Sequence, residues 1–428
     1  MTSARRIAVI GAGWAGLAAA VEATRLGTHV TLFEMAGHAG GRAREVRLDG
    51  VSLDNGQHIC IGAYVETLRL MKFVGVEESA TFVRLPLRLD YPDRAGLSLG
   101  GGPPLLAFAS AVLRHRSWRA SEKAALLLAA GRWLTARFRC DAALTVAALT
   151  ASLPVAVRGE LIDPLCVAAL NTPATEASAA VFLRVLGDAL FSGRGSADLL
   201  LPRVNLGAAL PEPALRWLAN AGATIRLHER VDSVSPDAAG WRVHGASFDA
   251  VVLAAAPAES ARLAAPRSPG WAEDAAALRY EPIVTVYLRG AGTTLPQPML
   301  ALHSEGESPA QFVFDRGQLG GPPGLLAFVI SGAARWVEAG RDRTLAATRR
   351  QAEVQLARWL RSPLETVEVI TEKRATFRCT PALRRPGGRI APGLLAAGDH
   401  VDGPYPSTLE GAVRSGVAAA REAAMADD

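Results

Sequence analysis

Cysteine is scarce in this chain, and its placement excludes two common ways of holding a small fold together. The 428 residues include four cysteines, which lie far apart and form no Cys-x-x-Cys pair. Such spacing predicts neither a zinc site nor a disulfide framework. We therefore expect a reducing compartment, the cytoplasm, and no bound metal.

Charge is also sparse, and apolar runs long enough to span a membrane are missing. Charged residues make up 20% of the chain and hydrophobic residues 50%, which excludes a disordered protein. The longest uncharged stretch, residues 95–113, is broken by the run Gly100–Pro104, so no spanning helix is expected. The apolar run near the N terminus contains three glycines at turn spacing and lacks a clean cleavage site, so a signal peptide is not expected either.

What is present is length and a modest basic excess. A chain of 428 residues is two to three times a typical domain, which predicts two domains with a large core. The net charge of +5 suits an anionic membrane surface as readily as a nucleic acid. The sign of the charge alone does not distinguish the two.

The first fifty residues carry a dinucleotide-binding pattern. Residues 5–34 predict a buried strand, an Ala-rich helix and a second strand. The first turn holds Gly11, Gly13 and Gly16, whose spacing permits a tight turn, close approach to a pyrophosphate, and close helix–strand packing. Glu34 ends the second strand, where a carboxylate accepts hydrogen bonds from a ribose diol. NAD and FAD both fit this much of the pattern.

Two further segments favour FAD. Gly40-Gly41-Arg42 follows the second strand, where an arginine could pair with the pyrophosphate. Near the C terminus, a short strand leads into Gly398-Asp399, and a final helix opens after Pro406 with Ser407 or Thr408 as its cap. A simple NAD dehydrogenase has no need of such a C-terminal return.

These two ends together resemble the amine-oxidase and phytoene-desaturase superfamily of FAD proteins. The resemblance implies an α/β architecture: a Rossmann-like FAD-binding domain with an inserted α+β substrate domain. It also implies that the C-terminal Gly-Asp holds the ribityl and pyrophosphate end of FAD, and that the last helix points its positive N-terminus at the flavin. The residues expected to bind FAD are Gly11, Gly13, Gly16, Glu34, Gly41, Arg42, Gly56, Val231, Gly398, Asp399, Thr408 and Leu409.

The same resemblance implies a discontinuous FAD domain. We expect it to comprise residues 1–75, 205–260 and 385–428, with residues 76–204 and 261–384 forming the substrate domain. Within these ranges the sequence predicts helices over 105–198 and 344–361, and strands at 223–228, 231–234, 241–244, 248–254, 283–289, 311–315, 325–330 and 366–371.

Internal runs at residues 53–58, 170–173, 201–206 and 398–416 narrow the resemblance to the hydroxysqualene dehydroxylases, also called squalene-associated FAD-dependent desaturases. It covers nearly the whole chain. It implies reduction of hydroxysqualene to squalene with loss of water in bacterial hopanoid biosynthesis, and hence a polyprenyl lipid substrate. The glycine cluster at 317–321 leads into two prolines rather than a helix, so we expect no second nicotinamide site and an external electron donor.

Three other interpretations stay open at this point. A carotenoid-type or squalene desaturase would run the flavin in the opposite direction on the same scaffold. An amine oxidase usually meets its substrate with an aromatic pair, and Tyr405 has no obvious aromatic partner in its loop. A non-enzymatic flavin-bearing lipid carrier would leave the flavin unexplained.

Loss of an allylic hydroxyl requires a proton donor beside the flavin. The ionisable residues that the motifs bring there are His58, Asp399, His400, Asp402, Tyr405 and Glu410. We predict His58 as the catalytic acid, and a position in the core or in the pocket wall for Tyr64. The loop 400–406 has no cysteine, which excludes a cysteinyl flavin link there but leaves a histidyl link at His400 open.

Segment 105–139 carries the basic excess in a form suited to a membrane surface. One acid, Glu122, is accompanied by seven basic residues: Arg114, Arg116, Arg119, Lys123, Arg132, Arg137 and Arg139. Trp118, Leu126, Leu127 and Trp133 are interleaved with them. We expect this segment to lie on the inner face of the cytoplasmic membrane, an anionic surface, and we expect no nucleic-acid partner. The alternative is a helical hairpin packed on the substrate domain.

Overall fold

The computed structural model describes residues 4–48, 51–238 and 240–425. The outer ends of the predicted FAD-domain ranges, residues 1–3 and 426–428, lie outside this part of the chain. The helices are α1 (Trp14–Arg25), α2 (Val65–Phe73), α3 (Glu78–Thr81), α4 (Pro104–Arg114), α5 (Ala120–Thr135), α6 (Val146–Leu149), α7 (Val155–Val157), α8 (Asp163–Leu170), α9 (Ala179–Phe191), α10 (Leu206–Ala209), α11 (Pro211–Asn220), α12 (Pro257–Ala264), α13 (Pro269–Ala276), α14 (Ala334–Ala339), α15 (Arg341–Gln355) and α16 (Leu409–Ala424).

The strands are β1 (Arg6–Ile10), β2 (His29–Phe33), β3 (Glu45–Leu48), β4 (Val51–Asp54), β5 (Cys60–Ile61), β6 (Phe82–Leu85), β7 (Leu199–Pro202), β8 (Thr224–Arg226), β9 (Ser235–Asp237), β10 (Gly240–Val243), β11 (Ala246–Phe248), β12 (Ala250–Leu253), β13 (Tyr280–Arg289), β14 (Met299–Ala301), β15 (Phe312–Asp315), β16 (Leu325–Ile330), β17 (Glu365–Phe377), β18 (Arg389–Ala391) and β19 (Leu394–Ala396).

A mostly parallel sheet of order β18-β19-β12-β1-β2-β8 is built from three separated parts of the chain. β1 pairs in parallel with β2 on one side and β12 on the other, and β19 adds to β12 in parallel. The crossover from β1 to β2 runs through α1, as in other βαβ units. This arrangement confirms the predicted α/β class with a Rossmann-like domain.

The two faces of this sheet are covered by different elements. Side chains alternate along β1, so Ile7 and Val9 pack with α1 and α16, whereas Ala8 and Ile10 pack with β10, α12 and α13. Helices α1 and α16 approach closely because residue 416 is glycine: a Cβ there would lie 2.1 Å from the Ala15 carbonyl oxygen. The N- and C-terminal parts of the chain are thereby held together under the sheet.

The inserted segments form the second, α+β unit around an antiparallel sheet of order β14-β15-β16-β13-β17. One face, including Tyr287 and Phe314, packs against the helices between residues 104 and 191, and the other, including Val286 and Phe328, packs against α14 and α15. These helices and strands confirm the predicted division of the inserts into a helical part and a sheet part. The predicted boundary at residue 260 falls inside α12.

Two predicted elements differ in the structure. Residues 231–234 form no strand, because Arg262 donates hydrogen bonds from its Nη2 and Nη1 to the carbonyl oxygens of Val231 (2.9 Å) and Asp232 (2.6 Å), which removes them from strand pairing. The helix predicted over 344–361 is α15, which ends at Gln355. The apolar residues beyond it, Leu356 and Trp359, still pack in the same core from a turn.

Candidate cofactor and substrate site

The N-terminus of α1 is open to an anion. The helix follows Gly13, which has no side chain to cap it, and its first turn contains no acidic residue. A Cβ at Gly13 would meet no described atom nearer than the Gly41 Cα at 4.0 Å. The free backbone N–H groups and the helix dipole of α1 can therefore be approached closely by a phosphate group.

The other two glycines of the pattern are needed by the fold itself. Gly11 has φ +107°, and a Cβ on it would lie 2.6 Å from the Ala254 carbonyl oxygen. A Cβ on Gly16 would lie 1.8 Å from the Gly11 carbonyl oxygen. Only Gly13 faces open space, so the three glycines separate into two packing positions and one approach position.

Glu34 lies beside this turn at the end of β2. Its Oε2 accepts a hydrogen bond from the backbone N–H of Ala12 (2.7 Å), and its Oε1 accepts one from Ala36 (2.8 Å). Each carboxylate oxygen can accept a further bond. The carboxylate is thus fixed in place by the chain while it retains acceptor capacity for a diol.

Arg42 connects three distant parts of the sequence. Its loop lies beside α1 through a bridge between Gly13 and Gly40, and its Nη2 pairs with the Asp399 carboxylate. Its Nη1 donates to the carbonyl oxygen of Ala375 (2.7 Å) in β17. The carbonyl is free because β17 bulges opposite Pro282, which has no N–H to offer the ladder.

Asp399 and His400 form a buried, polar end of the site. Burial raises the pKa of the Asp399 carboxyl, but the charge of Arg42, together with His400 and the hydrogen bonds from Ser407 and Arg42, holds that pKa below its usual range. Ser407 also donates a hydrogen bond to Asp399. Burial lowers the pKa of His400 to about 4, so this imidazole is neutral at neutral pH, and its Nε2 has no partner among the described residues.

The segment 55–58 lies between Arg42 and the second sheet. Asn55 Nδ2 donates to the Arg42 carbonyl oxygen (2.9 Å) and to Glu372 Oε2 (3.0 Å). His58 Nδ1 lies 2.7 Å from the Gly56 carbonyl oxygen, which fixes the proton of a neutral ring on Nδ1. Burial lowers the pKa of His58, and the positive charge of Arg42 lowers it further.

The C-terminal helix is capped by Thr408, whose Oγ1 accepts a hydrogen bond from the Gly411 N–H (3.1 Å). Of the two predicted caps, Ser407 instead contacts Asp399. Glu410, one of the candidate acids, accepts hydrogen bonds from the backbone N–H groups of Glu66 (3.1 Å) and Thr67 (2.9 Å) and thereby caps α2. The Tyr405 hydroxyl, another candidate, donates to Asp188 in α9 (2.8 Å).

Sequence reasoning overlooked two polar features beside segment 55–58. One is Thr285 on β13, a fully buried threonine whose hydroxyl has no partner among the described residues. The other is a cavity of about 320 Å³ lined by Asp54, Tyr287 and Arg316, among others. Burial raises the pKa of Asp54 to about 6. A single buried threonine or aspartate in a sequence carries no signal of this kind, because the sheet places the neighbours that matter.

These features fit FAD. The approach to Gly13 is open, the first turn of α1 has no internal anion, and Arg42 retains 39% side-chain exposure. His400 Nε2 is a buried polar atom that has no partner among the described residues and can serve a bound group. The FAD contacts of the twelve residues named above stay predictions.

Segment 105–139 forms a hairpin of α4 and α5. Some of the apolar residues that were predicted to face the membrane are instead buried in the protein core. Trp118 and Leu126 are buried against the helical part of the substrate unit, and Trp118 donates from its Nε1 to Glu160 Oε2 (3.0 Å). The prediction that these two residues face lipid is wrong, since they pack inward at helical spacing. The apolar residues that do face solvent are Leu105, Leu106, Leu113, Leu128 and Leu134. No helix within the described residues is long and apolar enough to cross a membrane.

The chain is similar to known oxidoreductases over nearly its whole length. The family model described as flavin containing amine oxidoreductase matches residues 14–424. A hydroxysqualene dehydroxylase from Rhodopseudomonas palustris is 30% identical over 97% of both chains, and one from Sinorhizobium fredii is 28% identical over 97% of both. A solved oxidoreductase from Methanosarcina mazei shares the fold, with a TM-score of 0.72 at 17% identity over 97% of this chain and 100% of its own.

The likeness to carotenoid desaturases is local. A zeta-carotene desaturase from a Synechocystis strain is 37% identical over 75 residues, which is 17% of this chain and 15% of its own. A match of this size extends over one segment and leaves most of the substrate unit unmatched. The desaturase interpretation is therefore not favoured.

Proposed function

The chain belongs to the flavin-containing amine oxidoreductase family and, within it, to the hydroxysqualene dehydroxylases, and from this premise we propose that it reduces hydroxysqualene to squalene. It is an FAD-dependent oxidoreductase. The observation that carries the proposal is the likeness to hydroxysqualene dehydroxylases over 97% of the chain, which includes the substrate unit as well as the cofactor ends. We infer that the product enters hopanoid precursor biosynthesis.

The reaction replaces a C–OH bond by a C–H bond, consumes two electrons and two protons, and releases water. Reduced FAD supplies the hydride when it is bound. We assign Gly13, Gly41 and Arg42 to the pyrophosphate end, Glu34 to the adenosine ribose, and Asp399 to the ribityl chain. The second sheet and the helices over it supply the apolar surface that a polyprenyl chain needs, and they exclude water from the reacting carbon.

Anaerobic turnover in D₂O tests the assignment. Protein reduced with dithionite is expected to convert hydroxysqualene to squalene with deuterium at the carbon that lost oxygen, because the transferred hydrogen of reduced flavin exchanges with solvent. Oxidised protein mixed with squalene is the control for the desaturase direction and is expected to form no new alkene. Squalene formed without deuterium would exclude direct hydride transfer, and a lack of product would remove the proposed activity.

His58→Ala is expected to slow turnover about 10²-fold, near the lower end of the range for acid catalysis. The lower end is expected because burial lowers the pKa of His58, so only a minority of molecules carry the proton at neutral pH. An acid must be protonated to act. The native rate should therefore fall as the pH rises through the pKa of His58, which burial places below 6.5, and this fall should be absent from the pH–rate profile of His58→Ala. His303→Ala, at a histidine that pairs with the exposed Asp93, is the control. A change of a few-fold with an unaltered pH profile would leave His58 with a structural role only.

We further propose that an external reductase or a diffusible donor reduces the flavin, and that the protein works in the cytoplasm on the inner face of the membrane. Five exposed leucines on the α4–α5 hairpin and the arginines around them support a docking role for this hairpin. We call this set the docking hairpin. An anionic bilayer is the partner that its apolar and positive groups fit.

A further inference from the structure

Thr285 is a polar exception on an apolar face of the second sheet. β13 alternates, so Ile283, Thr285 and Tyr287 face the helical part of the substrate unit, whereas Val284 and Val286 face α14 and α15. The cross-strand partners of Thr285 are Val329 on β16 and Ile370 on β17. The residue is 1% exposed.

Its hydroxyl has no hydrogen-bond partner among the described residues. A buried, unpaired hydroxyl costs free energy that a valine of the same shape would avoid. Among the described residues, the other threonines that are buried as whole residues are paired: the hydroxyl of Thr348, on α15 over the opposite face of the sheet, donates to the Thr344 carbonyl oxygen (2.8 Å). Thr24, whose hydroxyl also has no partner, is only partly buried. The missing partner at Thr285 therefore points to a group that is not part of the chain.

The space beside Thr285 also contains the predicted acid. Gly56 has φ +104°, and a Cβ placed on it would lie 3.9 Å from Thr285 Oγ1 and 3.8 Å from His58 Cε1. The threonine hydroxyl and the imidazole thus border the same small space, and the absence of a side chain at residue 56 keeps that space clear. The carbonyl of Gly56 holds the other ring nitrogen, so His58 presents Nε2 as its free atom.

We propose that Thr285 binds the hydroxyl group of the substrate and so distinguishes a polyprenyl alcohol from the hydrocarbon product. This inference rests on the proposed function. The substrate has one oxygen in an otherwise apolar chain, and the apolar face around Thr285 offers one unpaired hydroxyl. A hydroxyl can donate and accept, so it can hold the alcohol oxygen while His58 delivers a proton. After loss of water the product has no group to hold, which favours its release.

The test compares Thr285→Val, which removes the hydroxyl and keeps the shape, with Thr285→Ser, which keeps the hydroxyl. Binding is measured with the oxidised, flavin-loaded protein, which has no electrons for the reaction, by perturbation of the flavin spectrum with hydroxysqualene and squalene in detergent. Thr285→Val is expected to weaken binding of the alcohol about 10-fold and leave binding of squalene unchanged. Thr285→Ser is expected to retain the preference.

Thermal unfolding gives an independent readout. Thr285→Val is expected to unfold at the same or a higher temperature than the native protein, because it removes a desolvated hydroxyl that has no partner. Thr348→Val, the matched control, removes a paired hydroxyl and is expected to unfold at a lower temperature with the alcohol preference intact. A clear loss of stability in Thr285→Val would show that the hydroxyl serves the fold and would overturn the proposal.

Three further outcomes separate this proposal from the proposed function. A changed flavin spectrum in Thr285→Val without any lipid would assign the hydroxyl to the cofactor and overturn the proposal. If the native protein reduces hydroxysqualene but prefers the alcohol no more than Thr285→Val does, the role of Thr285 is refuted and the proposed function stands. Native protein that neither binds nor reduces the alcohol would refute the proposed function.

Discussion

Gly13→Val is expected to fold normally and to bind FAD about 10²–10⁴-fold more weakly than the native chain. A Cβ at residue 13 would lie 4.0 Å from the Gly41 Cα, an ordinary van der Waals contact, and would meet nothing nearer among the described residues, so the fold has no reason to change. It would, however, occupy the approach to the N–H groups at the start of α1. Loss of two charge-assisted hydrogen bonds to a pyrophosphate, each about 1.5–3 kcal/mol, gives the stated range.

The other glycines of the pattern make the experiment specific. Gly16→Val places its Cβ on a backbone oxygen and is expected to prevent folding, while Gly100→Val, in a loop with open space, is expected to change neither folding nor flavin content. Flavin content after desalting and the unfolding temperature of the apoprotein are the two measurements. Full flavin occupancy in Gly13→Val would mean that the turn does not bind the pyrophosphate.

This separation of glycines shows what the sequence could and could not predict. The spacing of Gly11, Gly13 and Gly16 predicted a βαβ unit, because a fixed local geometry has a fixed sequence pattern. The structure adds that Gly11 packs against the carbonyl group of Ala254, whereas the close contact of Gly16 with the Gly11 carbonyl oxygen is local. The contact between Gly11 and Ala254 joins residues more than 200 positions apart, and no local pattern encodes it.

Long-range pairing explains the other departures as well. The stretch 231–234 has the composition of a strand, yet Arg262 takes up its carbonyl groups. Glu410 was a candidate acid by its position on the last helix, yet it caps α2. The bulge opposite Pro282 that provides Arg42 with a carbonyl partner exists only once β13 and β17 are paired.

Thr285 was overlooked for a different physical reason. Threonine is a common strand residue, and its hydroxyl normally finds a partner or water. What distinguishes Thr285 is the lack of a partner in a fully buried place, and this is a property of the packed sheet. Segment 53–58, in contrast, was selected from its motif alone, and it does lie between Arg42 and the second sheet.

The docking hairpin leads to the second large expected effect. Arg114, at the end of α4, and Arg116 and Arg119, in the turn before α5, are exposed next to the exposed leucines of α4. A thirty-carbon lipid has poor access through water, since each buried methylene is worth about 0.8 kcal/mol, and direct transfer from a bilayer avoids that barrier. The exposed fractions of Leu106 (66%) and Leu113 (60%) are large for leucine in a well-packed protein.

Reversal of these three arginines to glutamate should release the protein from anionic liposomes at low salt. Each basic residue near an anionic surface contributes about 1 kcal/mol, so three reversals change the binding free energy by about 6 kcal/mol, or about 10⁴-fold in affinity. Native binding should also weaken as salt screens the surface charge. Sedimentation with liposomes of mixed anionic and neutral lipid measures both effects, with flavin content as the check on folding.

The matched control reverses three exposed arginines elsewhere, Arg216, Arg267 and Arg350, and lowers the net charge of +5 by the same six units. If net charge alone governed binding, the two triple variants would behave alike; if the docking hairpin governs it, only the first is released. The apolar part is tested by Leu105, Leu106 and Leu113 replaced with serine, which should weaken binding at every salt concentration because burial of apolar surface is not screened. Native protein that stays in the supernatant at low salt, or a first triple variant that still sediments fully, would exclude this hairpin as the docking surface and leave it as an exposed edge of the substrate unit.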